Sequence, residues 1–581
     1  MNPLLALLAK GRRRPLRIFY DEAFRLPISG VEAGPRSMET RRADDALHYL
    51  QSAHAVSRRE IINPTPASYE ALGRVHTAAY LESLFQAETL AHIFAVDPSD
   101  VYVDEVLRTL RLAVGATIAA ASFSLRRRVP TINLFGGFHH AAPNRGAGFC
   151  ALNDMAVAIA ELRAQGFQGK VGILDLDFHP PDGTSACLGE DASVWLGSIS
   201  GADWGSLPGV DEVRLPPGTS DGAYLDALDG LLDRMPSLEL VFVLSGADVL
   251  AGDRLGQFSM SLPGVRERDL RVARRLGSMP QVWLPAGGYS PHAWKVLAGV
   301  GLALAFDTDE PIPTDYDPLE ARFSGISHSL PSESLGDEPF VSEADVADAL
   351  GLPRQGPHRF LEFYTAQGME FALERYRILP ILRRLGFQGL HVVIDQVAPY
   401  DRARLLGVDA ITGKTASLIE LEVEKRRLGE DTFLFVNWLS LRNPRAQFSD
   451  LRPQLPGQEV PGLGLAREFT EILTLMSKRL QLAGVAFRPS WFHMAWAARH
   501  DSRFVSPERQ GRFEALIRDS RRLSLLQATR AIAEGRVTLN GKPYQWEADE
   551  MVRWRDENDI PQDKALIVAE RERSHFEFRE K

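Results

Sequence analysis

The histidines and aspartates that could do chemistry fall in a few short segments, each of which follows an apolar run. Asp177 and His179 lie two residues apart after one such run, so on an extended chain both side chains point to the same side. A carboxylate and an imidazole placed in this way can bind one metal ion, and Asp253, after another run, could supply a third ligand. Two carboxylates and one imidazole leave one tetrahedral position open for water or substrate, which predicts a catalytic zinc site.

The adjacent His139 and His140 follow two glycines and indicate acid–base chemistry. A neutral imidazole can accept a proton from metal-bound water and return it to a leaving amine. Each ring needs a carboxylate to hold its orientation and tautomer, and Asp175 and Asp182 are available. Tyr289 follows two further glycines and can present its hydroxyl to a developing oxyanion. Each motif alone is as typical of a surface turn, but their joint occurrence at strand ends predicts an active site.

The elements that must position these residues lie within residues 16–320, where short apolar runs alternate with amphipathic stretches. The predicted strands include Val171–Leu176, Leu240–Leu244 and Gln281–Leu284. The predicted helices include Asp154–Gln165 and Asp221–Arg234. This pattern predicts a doubly wound α/β domain with a parallel sheet. Sites in such sheets form at the carboxyl ends of the strands, where the chemistry-bearing segments stand.

The ordered segments GGFHH, GFCALND, LDLDFHPPDGT, GADVLAGD and AGGY resemble the zinc-dependent histone deacetylase superfamily. That superfamily includes bacterial acetoin-utilization proteins and acetylpolyamine amidohydrolases, and the stretch RVHTAAY at 74–80 is similar to its early helix motif. The resemblance covers about residues 16–320 and implies an arginase/deacetylase fold. It also implies a zinc-dependent amidohydrolase that removes an acyl group, most simply acetyl, from an amine such as a lysine side chain. Acetylated polyamines and other small-molecule amides remain alternative substrates.

The resemblance assigns a role to each matching residue. Its zinc ligands would be Asp177, His179 and Asp253. Its histidine–carboxylate pairs would be His140 with Asp182 and His139 with Asp175. His140 would act as general base and then general acid, His139 as its electrostatic partner, and Tyr289 would polarise the amide carbonyl.

Substrate contacts and a second cation are implied in the same way. The expected substrate-binding residues are Phe138, Gly148, Phe149, Gly287 and Asp97. A monovalent cation site, typically potassium, would use Asp175, Asp177, His179 and Ser198. Many members have a second histidine and a glycine where this chain has Pro180 and Pro181, which stiffen the loop and remove two backbone donors. The spacing departs from the two-manganese pattern of the sister arginase branch and favours one metal.

Composition narrows the class of protein. The 581 residues carry 66 basic and 76 acidic side chains, a net charge of -10, which is unlike the basic excess of a general nucleic-acid binder. Two cysteines exclude a disulfide framework. The N-terminus lacks the order of a secretory signal, and apolar stretches such as Ala293–Phe306 fall short of the ~18 residues of a membrane span. We therefore expect a cytoplasmic protein with no nucleic-acid or membrane partner.

The remainder of the chain is predicted to hold a linker at 321–355, rich in Ser, Pro, Gly and acids, and an α+β domain at 356–581. Its strand-like runs are Leu390–Val397, Ser417–Val423 and Thr432–Leu441. With the glycine-rich turn Pro461–Ala466 opening a helix, they weakly resemble a GCN5-related acetyltransferase. Such a helix N-terminus can bind the pyrophosphate of an acyl-CoA, although a simple helix start explains the turn as well. An acyl-CoA-binding regulator, an acyltransferase half and a metal-binding scaffold without turnover are the competing interpretations, and no cofactor-binding residue is assigned.

Overall fold

The computed structural model describes residues 13–28, 30–31, 38–336, 359–397, 399–555 and 563–579. The chain divides into two units between Leu319 and Glu320.

The N-terminal unit is built around a parallel sheet of eight strands. These are β1 (Arg17–Phe19), β2 (Ile61–Ile62), β3 (Thr131–Asn133), β4 (Val171–Asp175), β5 (Val194–Ser200), β6 (Val210–Arg214), β7 (Leu240–Leu244) and β8 (Gln281–Leu284). Their order is β2-β1-β3-β8-β7-β4-β5-β6, and every neighbouring pair is parallel. The central strands β3, β4, β7 and β8 are buried along their whole length, as expected of a sheet covered by helices on both faces.

The α-helices that the described residues of this unit form follow in chain order. They are α1 (Arg42–Ser52), α2 (Tyr69–Gly73), α3 (Ala78–Ser83), α4 (Ala87–Phe94), α5 (Val103–Arg127), α6 (Asp154–Ala164), α7 (Asp182–Leu188), α8 (Asp221–Arg234), α9 (Leu262–Leu276) and α10 (Ala293–Phe306). Short 3₁₀ helices occupy Glu22–Phe24, Arg58–Glu60 and Pro98–Asp100. By length and composition α5 could cross a membrane, but 72% of its most apolar window is buried within the protein, as in the core helix of a globular domain.

The strand order explains how the site is assembled. β3, β8, β7 and β4 are consecutive in the sheet, so the loops that follow them leave the sheet side by side. Those four loops carry the His139–His140 pair, Tyr289, the segment 245–253 and the segment 176–182. The predicted parallel sheet, and the placement of the chemistry at its carboxyl edge, are confirmed.

The C-terminal unit is α+β, as predicted. Its strands are β9 (Phe387–Val397), β10 (Tyr400–Asp409), β11 (Thr415–Leu428), β12 (Asp431–Leu441), β13 (Gly484–Phe487), β14 (Arg503–Phe504), β15 (Val537–Leu539), β16 (Lys542–Pro543), β17 (Met551–Trp554) and β18 (Phe576–Phe578). They form a seven-stranded sheet, β14-β17-β13-β12-β11-β10-β9, and a three-stranded sheet, β16-β15-β18. In the larger sheet β12 and β13 pair in parallel and the other neighbours are antiparallel.

The helices of this unit begin earlier than the sequence suggests. They are α11 (Pro318–Ser329), α12 (Ser332–Gly336), α13 (Ala366–Arg375), α14 (Ile378–Arg384), α15 (Ala466–Arg479), α16 (Phe492–Ala498), α17 (Pro507–Asp519), α18 (Leu525–Ala533) and α19 (Lys564–Arg573). The range 321–336, expected to be part of a linker, is therefore mostly helical. Within its polar sequence, Phe323, Leu330 and Leu335 are buried. Residues 337–355 of the predicted linker lie outside the described residues.

Candidate active site

A potential metal site lies where β4 and β7 end. One ligand atom each from Asp177, His179 and Asp248 lies within 4.8 Å of the others. The His179 Nδ1 is 3.2 Å from Oδ1 of Asp177 and 3.1 Å from Oδ2 of Asp248. This set of two carboxylates and one imidazole matches the predicted chemistry of the donors, and it leaves room for a fourth ligand.

The sequence prediction named Asp253 as the third ligand, whereas this cluster contains Asp248. The Asp253 carboxylate accepts backbone hydrogen bonds from Leu255 and Gly256 at 3.0 and 3.2 Å, and from Tyr289 at 2.8 Å. These bonds leave a lone pair on the carboxylate for a metal ion, so the assignment of Asp253 stays a prediction. Asp248 follows the end of β7 as closely as His179 follows the end of β4, which makes it a second candidate.

The electrostatics of this cluster favour a bound cation. Both carboxyl groups are fully buried, and burial together with the neighbouring Asp177 raises the pKa of Asp248 to about 7. Burial alone would lower the pKa of His179, but hydrogen bonds to Asp177 and Asp248 raise it to about 10. The protonated imidazole places positive charge beside two carboxylates, and a divalent ion at that position would stabilise them more strongly.

His139 lies beside this cluster and is held by Asp175. Its Nδ1 donates to Oδ2 of Asp175 at 2.8 Å, and both side chains are buried. Burial would lower the pKa of His139, but the carboxylates of Asp175 and Asp177 raise it to about 9. The raised pKa favours the protonated form of His139, whose Nε2 lies 3.1 Å from Nε2 of His140.

His140 has the opposite protonation state. Its Nδ1 donates to Oδ1 of Asp182 at 2.7 Å, which leaves the lone pair on Nε2 free to accept a proton. Burial and the positive charge of His139 lower the pKa of His140 to about 4. Two adjacent histidines thus differ in charge because one faces two buried carboxylates and the other faces a cation. Both predicted histidine–carboxylate pairs are present.

Tyr289 and Arg42 complete the charged surroundings. Burial, reinforced by Asp177 and Asp248, raises the pKa of Tyr289 well above its usual value, so its hydroxyl remains a hydrogen-bond donor. Burial lowers the pKa of Arg42, while the charges of Tyr289, Asp177 and Asp248 act in the opposite direction. The sequence analysis missed Arg42, because it comes from α1, far from any motif, and only the fold brings it near.

Two aromatic rings flank the cluster. The Phe149 ring centroid lies 5.6 Å from that of Tyr289, and the Trp204 ring lies 5.3 Å from His140 and 6.1 Å from His179. Trp204 is 48% exposed although its ring lies against both imidazoles, which it meets at angles of 41° and 39°, so one aromatic face is available to a ligand. Phe149 was predicted here, whereas Trp204 was missed because a single tryptophan in a glycine-rich loop carries no pattern.

Two residues of the predicted substrate-binding set, Gly148 and Gly287, leave no space for a side chain because other side chains of the site lie against their backbone. A Cβ on Gly148, whose φ is +52°, would lie 2.5 Å from Cδ2 of His140. The Gly287 amide donates to Oδ2 of Asp177 at 2.6 Å, and a Cβ there would come within 2.8 Å of Oδ2 of both Asp177 and Asp248. Gly287 therefore lies against the two carboxylates, and any side chain at this position would displace them.

The other predicted substrate residues are less directly connected to the cluster. Phe138 is buried, its ring lies 5.2 Å from that of Phe135, and its amide donates to Asp154. Asp97 caps the 3₁₀ helix that begins at Pro98, and its role at the rim stays a prediction.

The two prolines that depart from the family pattern are accommodated at a helix start. α7 begins at Asp182, and the Pro180 and Pro181 carbonyls accept from the amides of Asp182 and Ser185. The amide positions that proline lacks are among those that a helix N-terminus leaves unpaired in any case. Asp182 consequently keeps its hydrogen bond to His140.

Asparagine substitutions at Asp253 and Asp248 distinguish the two candidates for the third ligand. Asp253→Asn would remove a charged ligand, so zinc affinity should fall by more than the roughly 10- to 100-fold typical of losing an outer partner. Asp248→Asn should weaken zinc binding only within that range, because its carboxylate then acts through the 3.1 Å contact with His179. Chelator competition and zinc content after dialysis measure both effects, and normal zinc binding by Asp253→Asn would contradict the predicted ligand.

Comparison with known proteins agrees with this geometry. Residues 36–300 match the histone deacetylase domain model. Histone deacetylase 2 of Arabidopsis thaliana is 33% identical over 299 residues, which cover 48% of this chain and 76% of the relative. Histone deacetylase 8 of Xenopus tropicalis is 27% identical over 49% of this chain and 85% of its own.

A solved structure gives a more distant match. The crystal structure of a histone deacetylase homologue from Aquifex aeolicus is 23% identical, with a TM-score of 0.43, over 50% of this chain and 84% of the homologue. The matched domain, the parallel sheet and the sequence relatives together establish that the chain belongs to the histone deacetylase family of hydrolytic, zinc-dependent deacetylases, with the arginase/deacetylase fold in its N-terminal unit.

Proposed function

We propose that the N-terminal unit hydrolyses the amide of an acylated amine, with an acetylated lysine side chain as the simplest substrate. The observation that carries this proposal is the neutral His140, oriented by Asp182, beside a cluster of two carboxylates and one imidazole. Asp177, His179 and Asp253 would hold the zinc ion that the family implies, with the Asp248 carboxylate directly beside His179. Zinc, when bound, polarises the acyl carbonyl and lowers the pKa of a coordinated water.

The histidine pair supplies the proton transfers. With its Nδ1–H held by Asp182, His140 presents Nε2 as the base that takes a proton from the attacking water and returns it to the leaving amine. The cationic His139, held by Asp175, prevents His140 from taking up a solvent proton before the reaction begins. Tyr289 donates its hydroxyl proton in a hydrogen bond to the oxyanion of the tetrahedral intermediate.

Phe149 and Trp204 are suited to enclose the substrate's unbranched chain. Phe149 lies beside Tyr289 and Trp204 lies beside His140, and aromatic faces next to an alkyl stem exclude water from it and strengthen the electrostatic interactions at its end. Lysine and polyamines share such a stem, so both classes fit this wall. Asp97 would contact the substrate at the rim, and we keep the acetylated polyamines as the alternative substrate class.

A monovalent cation beside the zinc site is part of the proposal. Ser198 pairs in register with Asp175 on the adjacent strand, and its Oγ is buried without a hydrogen-bond partner among the described residues. An orphaned hydroxyl oxygen next to buried carboxylates is the donor set that a hard cation such as potassium prefers. Asp175, Asp177 and His179 would complete this site.

Turnover on acylated amines tests the proposed reaction. Zinc-loaded full-length protein should hydrolyse at least one class in a panel of acetyl- to long-chain acyl-lysine peptides and acetylated polyamines. Tyr289→Phe should bind zinc normally and lose about 10²-fold or more in kcat, because it removes one oxyanion donor. Full activity in Tyr289→Phe would contradict its role, and inactivity of the wild-type protein on every substrate would contradict the proposed substrate class.

The pH dependence tests the protonation state of His140. A free histidine base would lose activity below about pH 6.5, whereas a pKa of about 4 keeps His140 neutral and competent well below that pH. We expect kcat/KM to change less than about threefold between pH 7.5 and 5.5 and to fall as pH approaches 4. Zinc retention is measured at each pH as the control, and an acid limb centred near 6.5 with zinc retained would contradict the assignment.

A second candidate function concerns the C-terminal unit, which we propose binds an acyl-CoA. The favourable observation is the parallel pair β12 and β13, joined through α15 within an otherwise antiparallel sheet, because such a crossover opens a crevice at the strands' carboxyl ends. The glycine-rich turn contributes less than expected. Gly462 bridges to Arg442, the Leu463 amide donates to Leu441, and buried Glu468 already lies in the first turn of α15.

Calorimetry of the full-length protein with acetyl-CoA and with acetyl-pantetheine tests whether the protein binds an acyl-CoA and which part of the ligand it recognises. Saturable heat with acetyl-CoA and none with acetyl-pantetheine would support recognition of the nucleotide and pyrophosphate. If neither ligand gives saturable heat up to millimolar concentration, the result would contradict the proposal.

A further inference from the structure

A buried carboxylate at the start of α6 takes no part in the chemistry above. Asp154 is fully buried and is the first residue of that helix. Its Oδ1 accepts from the amides of Gly137 and Phe138 at 3.1 and 2.8 Å. Its Oδ2 accepts from the same Gly137 amide at 3.1 Å and from the Thr117 hydroxyl at 2.6 Å. Because all three of these partners donate, they satisfy an ionised carboxylate, which is otherwise costly to bury.

The two amides belong to the turn that carries the histidine pair. Gly137 adopts φ +81°, a conformation that favours glycine, and its carbonyl accepts from the His139 amide at 2.9 Å. Phe138 directly precedes His139. Asp154 therefore holds the backbone of the two residues that lead into the pair.

The other end of the same turn is held by Asn153, the N-cap of α6. The Asn153 Nδ2 donates to the Ala141 carbonyl at 3.1 Å. Between these two points the Thr184 amide, from α7, donates to the His139 carbonyl at 2.8 Å. The start of α6 thus holds the backbone before and after the pair, and α7 holds it in the middle.

The position of this backbone matters because the partners of the two rings are fixed by other elements. Nδ1 of His139 lies 2.8 Å from Asp175 at the end of β4, and Nδ1 of His140 lies 2.7 Å from Asp182 at the start of α7. The two Nε2 atoms lie 3.1 Å apart. A shift of the turn by about 1 Å would disturb these contacts, and misplacement on that scale can lower a rate about 10²-fold.

We infer that Asp154 is a positioning residue that fixes the backbone of the His139–His140 turn so that both imidazoles meet their carboxylates. The inference rests on the proposed function, in which this pair carries the proton transfers. Asp154 acts through two backbone amides rather than through the rings. Helix capping does not account for its burial, because Asn153 already caps α6 by accepting from the Ala156 amide at 3.0 Å.

Asparagine at this position is an informative substitution because the Gly137 nitrogen lies 3.1 Å from both oxygens of Asp154. Asp154→Asn keeps the shape of the side chain, but in either orientation its NH₂ group faces the Gly137 N–H, donor against donor. Asp154→Ala removes both acceptors. Thr131→Val is the control, because Thr131 is equally buried at the amino end of β3 and donates to the Gln281 carbonyl at 3.1 Å, whereas the site lies at the carboxyl ends of the strands.

Kinetics, zinc binding and histidine spectra of the zinc-loaded full-length variants test the inference. Values of kcat and KM are measured on the acylated amine that the wild-type protein hydrolyses best. Chelator competition gives the Zn²⁺ affinity, and the thermal midpoint reports folding. The low-field ¹H resonances of the Nδ1–H groups, in protein labelled with ¹⁵N-histidine, report the histidine–carboxylate contacts without turnover.

We expect kcat to fall about 10-fold in Asp154→Asn and about 10²-fold in Asp154→Ala, with KM and Zn²⁺ affinity within about twofold of wild type. The low-field resonances should shift or disappear in both variants. Thr131→Val should lower the thermal midpoint but leave kcat and the resonances unchanged, because it loses a buried hydrogen bond far from the turn.

If Asp154→Asn matches Thr131→Val in both kcat and the low-field resonances, the inference is overturned, even where Asp154→Ala fails to fold. Inactivity of the wild-type protein on every acylated amine would instead overturn the proposed function. The resonances then decide the inference by themselves, because a shift in Asp154→Asn supports the positioning role and an unchanged spectrum contradicts it.

Discussion

Two buried carboxylates, Asp177 and Asp248, held together around the His179 imidazole impose the constraint on which the rest of the site depends. Like charges at this separation in a dry environment resist joint ionisation, and a cation between them relieves the repulsion. The sheet order brings the two carboxylates close together, because β4 and β7 are neighbours and end at the same level. A fold that places two strand ends side by side, with an aspartate just past each, brings together two carboxylates that a cation stabilises.

The same constraint separates the two histidines. His139 faces Asp175 and the ionised cluster and becomes a cation, and its charge then suppresses the protonation of His140. The proposed general base is therefore kept neutral by its neighbour as well as by burial. Asp182 lies on the far side of His140 and fixes its tautomer. Its charge raises the pKa of His140 by less than burial and His139 lower it, so the ring stays neutral.

Much of this arrangement was predictable, and the failures have identifiable causes. Periodic apolar runs specify buried parallel strands, and residues within four positions of a strand end stay near it, which is why Asp175, Asp177 and His179 lie together at the end of β4. Asp253 lies farther from the end of β7 and beyond a turn that includes Gly252 at φ +78°, so strand parity does not report where its side chain points. Arg42 and Trp204 reach the site by tertiary packing alone, for which one sequence contains no local signal. In the C-terminal unit, the glycine-rich turn suggested free amides, and pairing of Gly462 with the end of β12 uses part of that segment instead.

Charge balance links the cluster to its wider surroundings. Burial and the carboxylates of Asp177 and Asp248 raise the pKa of Tyr289, and hydrogen bonds to the same two carboxylates raise that of His179. The two carboxylates therefore favour a proton on both side chains. A metal ligand must be deprotonated, so zinc held by His179 would take the place of the imidazole proton. A cation beside Tyr289 would favour its phenolate, draw its pKa back toward the usual value and strengthen its hydroxyl as a hydrogen-bond donor. The capacity of Tyr289 to donate to an oxyanion would then depend on the ion that the same carboxylates bind.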